Sequence, residues 1–271
     1  MATEQYTAGA SAASRRLLDL LHRSASGPFT VREAAGWLRL SPLEASKRLA
    51  RWRTQGWVTR VRRGLYTPVP LGAAAATWSA DAWAVLARAF APCYVGGWSA
   101  AEHWGLTEQL FTATVVFTTR DARPRESELG GVRYVARRIL EGRLFGTKRV
   151  WRDRVPVSVS DPPRTLVDVL DDPRLGGGAR HVAEMVRAYL GSEHRDDRLL
   201  LDYAHRLGNR TVFKRLGFLV EALGDRADAV VSECQRNLSE GYSLLDPSGP
   251  RRGRLTRRWR LRANVTLAAA R

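Results

Sequence analysis

SKRLARWRTQGWVTRVRRGLYTPV, residues 46–69, carries seven Lys and Arg and no carboxylate, together with Trp52, Trp57, two glycines and a run of β-formers. Like charges at this density usually mark a solvated stretch. The tryptophans and β-branched residues contradict that, because they need a core to cover them. Winding residues 42–55 at about 100° per residue resolves the conflict. Glu44, Lys47, Arg48, Arg51 and Gln55 fall on one arc, and Ala45, Leu49 and Trp52 on another, with Leu43 and Ala50 bordering the apolar arc. The segment therefore predicts a helix with a packed face and a basic face, ended by Gly56. Residues 57–68 then read as two short strands around a turn at Arg62, Arg63 and Gly64.

The residues upstream supply what that helix packs against. Residues 14–25 place Leu17, Leu18, Leu20 and Leu21 on one helical face. Thr30 and Glu33 have the spacing of a capping box, which opens a short helix over 31–38. After a three-residue turn, Ser41 and Glu44 repeat the box, with Pro42 at the first helical position. Two helices joined by so short a turn are the helix-turn-helix signature, and the following hairpin adds a wing. The expectation is a flexible tail over 1–13 and a winged helix-turn-helix domain over 14–70.

Such a domain puts its basic arc in the major groove and its wing on phosphate. Lys47, Arg48 and Arg51 are the expected base or phosphate contacts, with Gln55 on the same arc. Ser41 at the helix N-terminus is a candidate phosphate ligand. Arg60, Arg62 and Arg63 are expected backbone contacts from the wing. Winged helices also serve as protein-interaction modules, but the basic arc argues for double-stranded DNA.

Net charge is +17 over 271 residues, and its placement matters more than its size. Residues 1–75 hold a net +8 and residues 249–271 another +8, while the 173 residues between hold only +1. Charge confined to both ends implies a polyanion-facing surface. No apolar run reaches the roughly 18 residues of a membrane span, and no amphipathic anchor points to a membrane partner. The N-terminus lacks a basic start followed by an apolar block, and Cys93 and Cys234 have no zinc or CxxC spacing. A reduced, cytoplasmic protein without metal or cofactor is expected.

Beyond a small-residue linker at 71–77, the chain reads as a mixed α/β domain over 78–248, so the fold class is α+β. Ser79 is expected to cap a helix reaching Phe90, and Ser99 a second short helix. Residues 112–119, 132–135 and 155–160 read as strands. Asp161 precedes a helix with prolines in its first turn, and three or four amphipathic helices follow between 178 and 238. The basic segment 249–271 alternates from Arg254 onward as a strand would. Arg254, Arg257, Arg258, Arg260 and Arg262 could form a second electropositive strip for nucleic acid, or the tail could be frayed.

Three ordered motifs carry a resemblance: RVRRGLYTPVP at 60–70, YVGGWSAAEHWGLTEQ at 94–109 and VSVSDPPRTLVDVLDDP at 157–173. From about residue 14 to 225 the chain resembles the AbiEi family, the antitoxin and autorepressor halves of abortive-infection, type IV toxin–antitoxin pairs. The resemblance implies that the N-terminal domain binds inverted repeats upstream of its own operon. It also implies that the larger domain neutralises a nucleotidyltransferase-like toxin encoded next door, by direct contact or by countering its product.

The alternative class is a nucleic-acid-processing enzyme of nuclease type, with the winged helix holding substrate. Ser99, Glu102 and His103 lie close together in sequence, but Ser99 has a helix-capping position and His103 adjoins Trp104. Asp161, Asp168, Asp171 and Asp172 form an acidic group, yet Arg164 sits one turn from Asp168 and the others fall at helix ends. A nuclease also needs Glu-x-Lys after an acidic pair, and none of Lys47, Lys148 and Lys214 completes it. Gly176–178 lacks the Lys-Ser/Thr of a phosphate loop. A non-enzyme is expected, with no catalytic and no metal-ligating residues.

Overall fold

The computed structural model describes residues 12–70, 72–73, 78–121, 126–224 and 227–267. Most of the expected tail 1–13 and linker 71–77 lies outside these. The chain is an α+β protein.

The first unit is three helices and a small sheet: α1 (Ala12–Ser24), β1 (Phe29–Thr30), α2 (Val31–Leu38), α3 (Pro42–Thr54), β2 (Val58–Arg62) and β3 (Leu65–Pro68). Helix α1 begins at Ala12, inside the segment expected to be flexible. The strands lie in the order β1-β3-β2, all antiparallel. Leu18, Leu21, Phe29, Leu38, Leu49, Trp52, Trp57 and Tyr66 form one core between helices and sheet. Trp52 and Phe29 are fully buried in it, so the aromatics among the charges close the unit.

The second unit is built on a six-stranded mixed sheet in the order β6-β7-β5-β4-β9-β8. Its strands are β4 (Cys93–Val95), β5 (Ala113–Thr118), β6 (Glu126–Leu129), β7 (Val132–Arg138), β8 (Thr147–Arg152) and β9 (Val155–Ser160). The sequence reading found β5, β9 and part of β7. It missed the three-residue β4, and also β6 and β8, which are the two edges and carry charged side chains that mask the strand pattern. Helix α4 (Ala82–Ala89) is capped by Asp81, whose carboxylate accepts from the Trp83 and Ala84 amides, in place of the expected Ser79. Ser99 also departs from expectation. Helix α5 (Gly97–His103) starts two residues before it, and its hydroxyl accepts the Val115 amide at 3.0 Å, fastening helix to sheet.

Asp161 caps α6 (Pro162–Asp171) as expected. The helices α7 (Ala179–Leu190), α8 (Asp197–Leu207), α9 (Thr211–Ala222) and α10 (Asp228–Arg236) then pack around α6 in a second large core. The basic tail is ordered over its described part: β10 (Ser243–Leu244), β11 (Arg254–Thr256) and β12 (Leu261–Ala263) form a small sheet. Trp259, on the 3₁₀ turn between β11 and β12, is fully buried in the helical core. Its indole lies so close to Gly217 of α9 that a Cβ there would overlap the ring.

The two units are joined by specific contacts. Arg154, in the β8–β9 turn, donates to the carbonyls of His22, Arg23 and Ala25 at 3.4, 3.5 and 3.1 Å, satisfying the open C-terminal end of α1. Arg88 of α4 donates to the Pro28 carbonyl at 3.1 Å and pairs with Glu33 of α2. Val61 and Leu65 of the β2–β3 hairpin are buried with Trp83, Val85 and Val157 of the second unit.

Candidate nucleic-acid interface

Both capping boxes read from the sequence form, and they set the pose of α3. The Thr30 amide donates to the Glu33 carboxylate at 2.7 Å, and the Glu33 amide to the Thr30 hydroxyl at 3.3 Å. Burial works to raise the Glu33 carboxyl, but the Thr30 donors and the Arg88 guanidinium outweigh it and leave it below its ordinary value. Arg39, exposed in the three-residue turn, is left-handed at φ 53°, and the chain enters α3 through Ser41.

Ser41, the candidate phosphate ligand, caps α3 in this structure. Its hydroxyl donates to Glu44 at 2.6 Å, its amide does so at 3.0 Å, and the Glu44 amide returns to the hydroxyl at 3.3 Å. Those Ser41 bonds hold the Glu44 carboxyl below its usual range. In this structure the hydroxyl is therefore engaged within the chain by Glu44.

The outward face of α3 is also rotated from the reading. Ala45, Leu49 and Trp52 are fully buried and fix the inward direction. Lys47, Arg51 and Gln55 are exposed as expected. Arg48 is half-buried, with its guanidinium 5.8 Å from the centre of the Trp52 ring, so it leans on the scaffold. Leu43, placed by the sequence at the apolar border, is 65% exposed, and Ala50 is exposed too. Leu43 lies in the first turn of the helix that Pro42 starts, outside the buried core of this unit.

The hairpin presents the other cations. Between Arg60 and Arg62 the pairing shifts by one residue, so Arg60 faces Tyr66 and Arg62 faces Leu65 across the ladder. That irregularity leaves Arg60 and Arg62 exposed on either side of the buried Val61. Gly64 completes the turn at φ 78°, where a side chain would be strained, and Arg63 is exposed beside it. Among the described residues, Lys47, Arg51, Arg60, Arg62 and Arg63 form no ion pair with a carboxylate.

The second basic strip is different. Arg254 and Arg257 are exposed. Arg258 pairs with Glu221 at 2.8 Å, and Arg260 donates to the Ser239 carbonyl at 3.2 Å. Arg262 is half-buried within β12. Sequence reasoning missed why the strip is tied down: Trp259 donates to the same Glu221 at 2.6 Å. A lone tryptophan among arginines was the available signal.

Most side chains of the constellations that suggested an enzyme are engaged in contacts within the fold. The Ser99 hydroxyl holds the Val115 amide, and the His103 ring lies edge-on to Trp83 and Trp104. Asp161 accepts from the Arg164 amide and the Tyr203 hydroxyl. Asp168 is buried against Arg164 at 3.0 Å and accepts from Tyr94, and burial pushes its carboxyl up to about 6 against the pull of Arg164. Asp171 takes Asn209, and Asp172 takes Arg174 at 2.7 Å. Among the described residues no group of His, Cys, Asp and Glu could hold a metal ion, and no helix is long and apolar enough to cross a membrane.

Residues 15–69 match a family model described as "Transcriptional regulator, AbiEi antitoxin". The AbiEi resemblance read from the sequence thus holds over the unit that carries Lys47, Arg51 and the hairpin arginines, and the family is one of regulators rather than enzymes. No curated protein matches the chain. Among solved structures, the chain is similar to the RV2827C protein from Mycobacterium tuberculosis, with a TM-score of 0.64 and 15% identity over 93% of this chain and 91% of that one. The likeness extends to both units and is one of fold.

Proposed function

We propose that this protein represses its own operon and acts as the antitoxin to a nucleotidyltransferase-like toxin encoded beside it, in the cytoplasm. The first unit, taken as residues 14–70, works as a winged helix-turn-helix. Helix α3 enters the major groove of double-stranded DNA at inverted repeats upstream of the operon. Lys47 and Arg51 reach base edges or phosphate, Gln55 lies at the far end of the same face, and Arg60, Arg62 and Arg63 hold the backbone from the wing. Bound there, the protein blocks access to the promoter.

The observation that carries this reading is the set of five exposed cations that form no ion pair with a carboxylate among the described residues, on one helix face and the adjacent hairpin. Burial of the hairpin's Val61 and Leu65 against the second unit, and the Arg154 and Arg88 contacts, support a fixed seating of the first unit on the second. The family match over 15–69 supports the regulatory and antitoxin roles together. The second unit, residues 78–248, is assigned to neutralising the toxin.

A reporter driven by the DNA upstream of the gene tests both halves, with this protein supplied in trans and the neighbouring toxin gene induced. The reporter falls and growth is restored. Replacing Lys47 and Arg51 by Ala relieves repression but leaves growth protected. An unchanged reporter removes the repressor role, and growth arrest despite the protein removes the antitoxin role.

A further inference from the structure

The centre of the outward face of α3 carries two apolar side chains beside Lys47 and Thr54. Half a turn from the buried Ala45, Leu49 and Trp52, at about 100° per residue, lie Leu43, Lys47, Ala50 and Thr54, all exposed. They are spaced i, i+4, i+7 and i+11, one stripe along the helix, with Arg51 on its flank. An exposed leucine by itself means little. Leu43 differs by its position, in the first turn of the second helix of a helix-turn-helix, where side chains reach base edges. The adjacent Glu44 is turned back onto Ser41 at 2.6 Å, so it does not compete for the groove.

We propose that Leu43 reads the operator by packing on the C5-methyl group of a thymine in the major groove. This rests on the repressor reading above and names the base it selects. Among the four bases only thymine presents a methyl there, and it is read by apolar contact. Lys47, one turn further on, meets the O6 and N7 acceptors of guanine, the groove pattern that suits a cation. Residues four apart on a helix stand roughly 6 Å apart, and base pairs rise about 3.4 Å. The thymine and the guanine therefore lie within about two base-pair steps of each other in each half-site.

Fluorescence anisotropy with the full chain tests this on the duplex directly upstream of its own gene. Each thymine is replaced in turn by deoxyuridine, which removes only the methyl. Binding weakens about fourfold at one thymine per half-site, the weight of one buried methyl group. Leu43→Ala binds the parent duplex more weakly, melts at the wild-type temperature, and loses nothing further at that thymine. Selective binding that ignores every deoxyuridine overturns the assignment, as does a Leu43→Ala protein that still loses fourfold at the same position. Equal binding of the parent and a scrambled duplex would instead remove the operator reading, and Leu43 with it.

Discussion

The two ends of the chain carry the same net charge, +8 over residues 1–75 and +8 over 249–271, and the fold treats them differently. At the first, aromatic and aliphatic residues retreat into a core and leave Lys47, Arg51 and the hairpin arginines exposed, with no carboxylate partner among the described residues. At the second, Trp259 enters the helical core and carries its neighbours with it, so that Arg258 meets Glu221 and Arg260 meets a carbonyl. Equal charge therefore does not mean an equal surface. What decides is whether the arginines flank an anchor or line the open face of a helix whose other face is the anchor.

The largest effect expected from this contrast is on stability. Trp259→Ala removes a fully buried ring whose indole N–H also holds Glu221, and it should lower the unfolding free energy by about 3–5 kcal/mol. Urea denaturation measures this. DNA affinity of the protein that remains folded should hardly change. A variant that melts like the wild type but loses DNA would reverse the comparison, making the C-terminal segment the binding end.

A smaller effect is expected at the wing. Replacing Arg60, Arg62 and Arg63 by Ala should weaken binding to every duplex alike and flatten the salt dependence by about 0.9 in log–log slope for each true phosphate contact. A change in base preference without a change in slope would show that the wing reads sequence and would sharpen the division of labour with α3.

Much of the first unit was legible because its signals are local. Both capping boxes, the three-residue turn and the glycine at the tip of the β2–β3 hairpin depend on residues within four positions of one another, and each formed. The orientation of α3 was legible only to within part of a turn. Arg48 and Leu43 exchange environments: Trp52 is broad enough to carry a guanidinium beside it, and Leu43 in the first turn of α3 lies outside the core. Ser99 was misread because its partner, the Val115 amide, is distant in sequence. The edge strands β6 and β8 were missed for a related reason. Their charges protect an open edge, and nothing in six residues reveals where the sheet ends. The ordering of the basic tail depended on Gly217 leaving room for Trp259, a contact 42 residues away.

The most direct test of the central claim compares the two basic regions on one DNA. Full-length protein with Lys47→Ala and Arg51→Ala is set beside full-length protein with Arg254→Ala and Arg257→Ala, each titrated by anisotropy against the upstream duplex and a scrambled one. Both pairs remove two exposed cations. The first should lose roughly 1–3 kcal/mol for each base contact and bind the two duplexes alike. The second should keep its preference for the upstream duplex. Selectivity lost in the second pair and retained in the first would contradict the account.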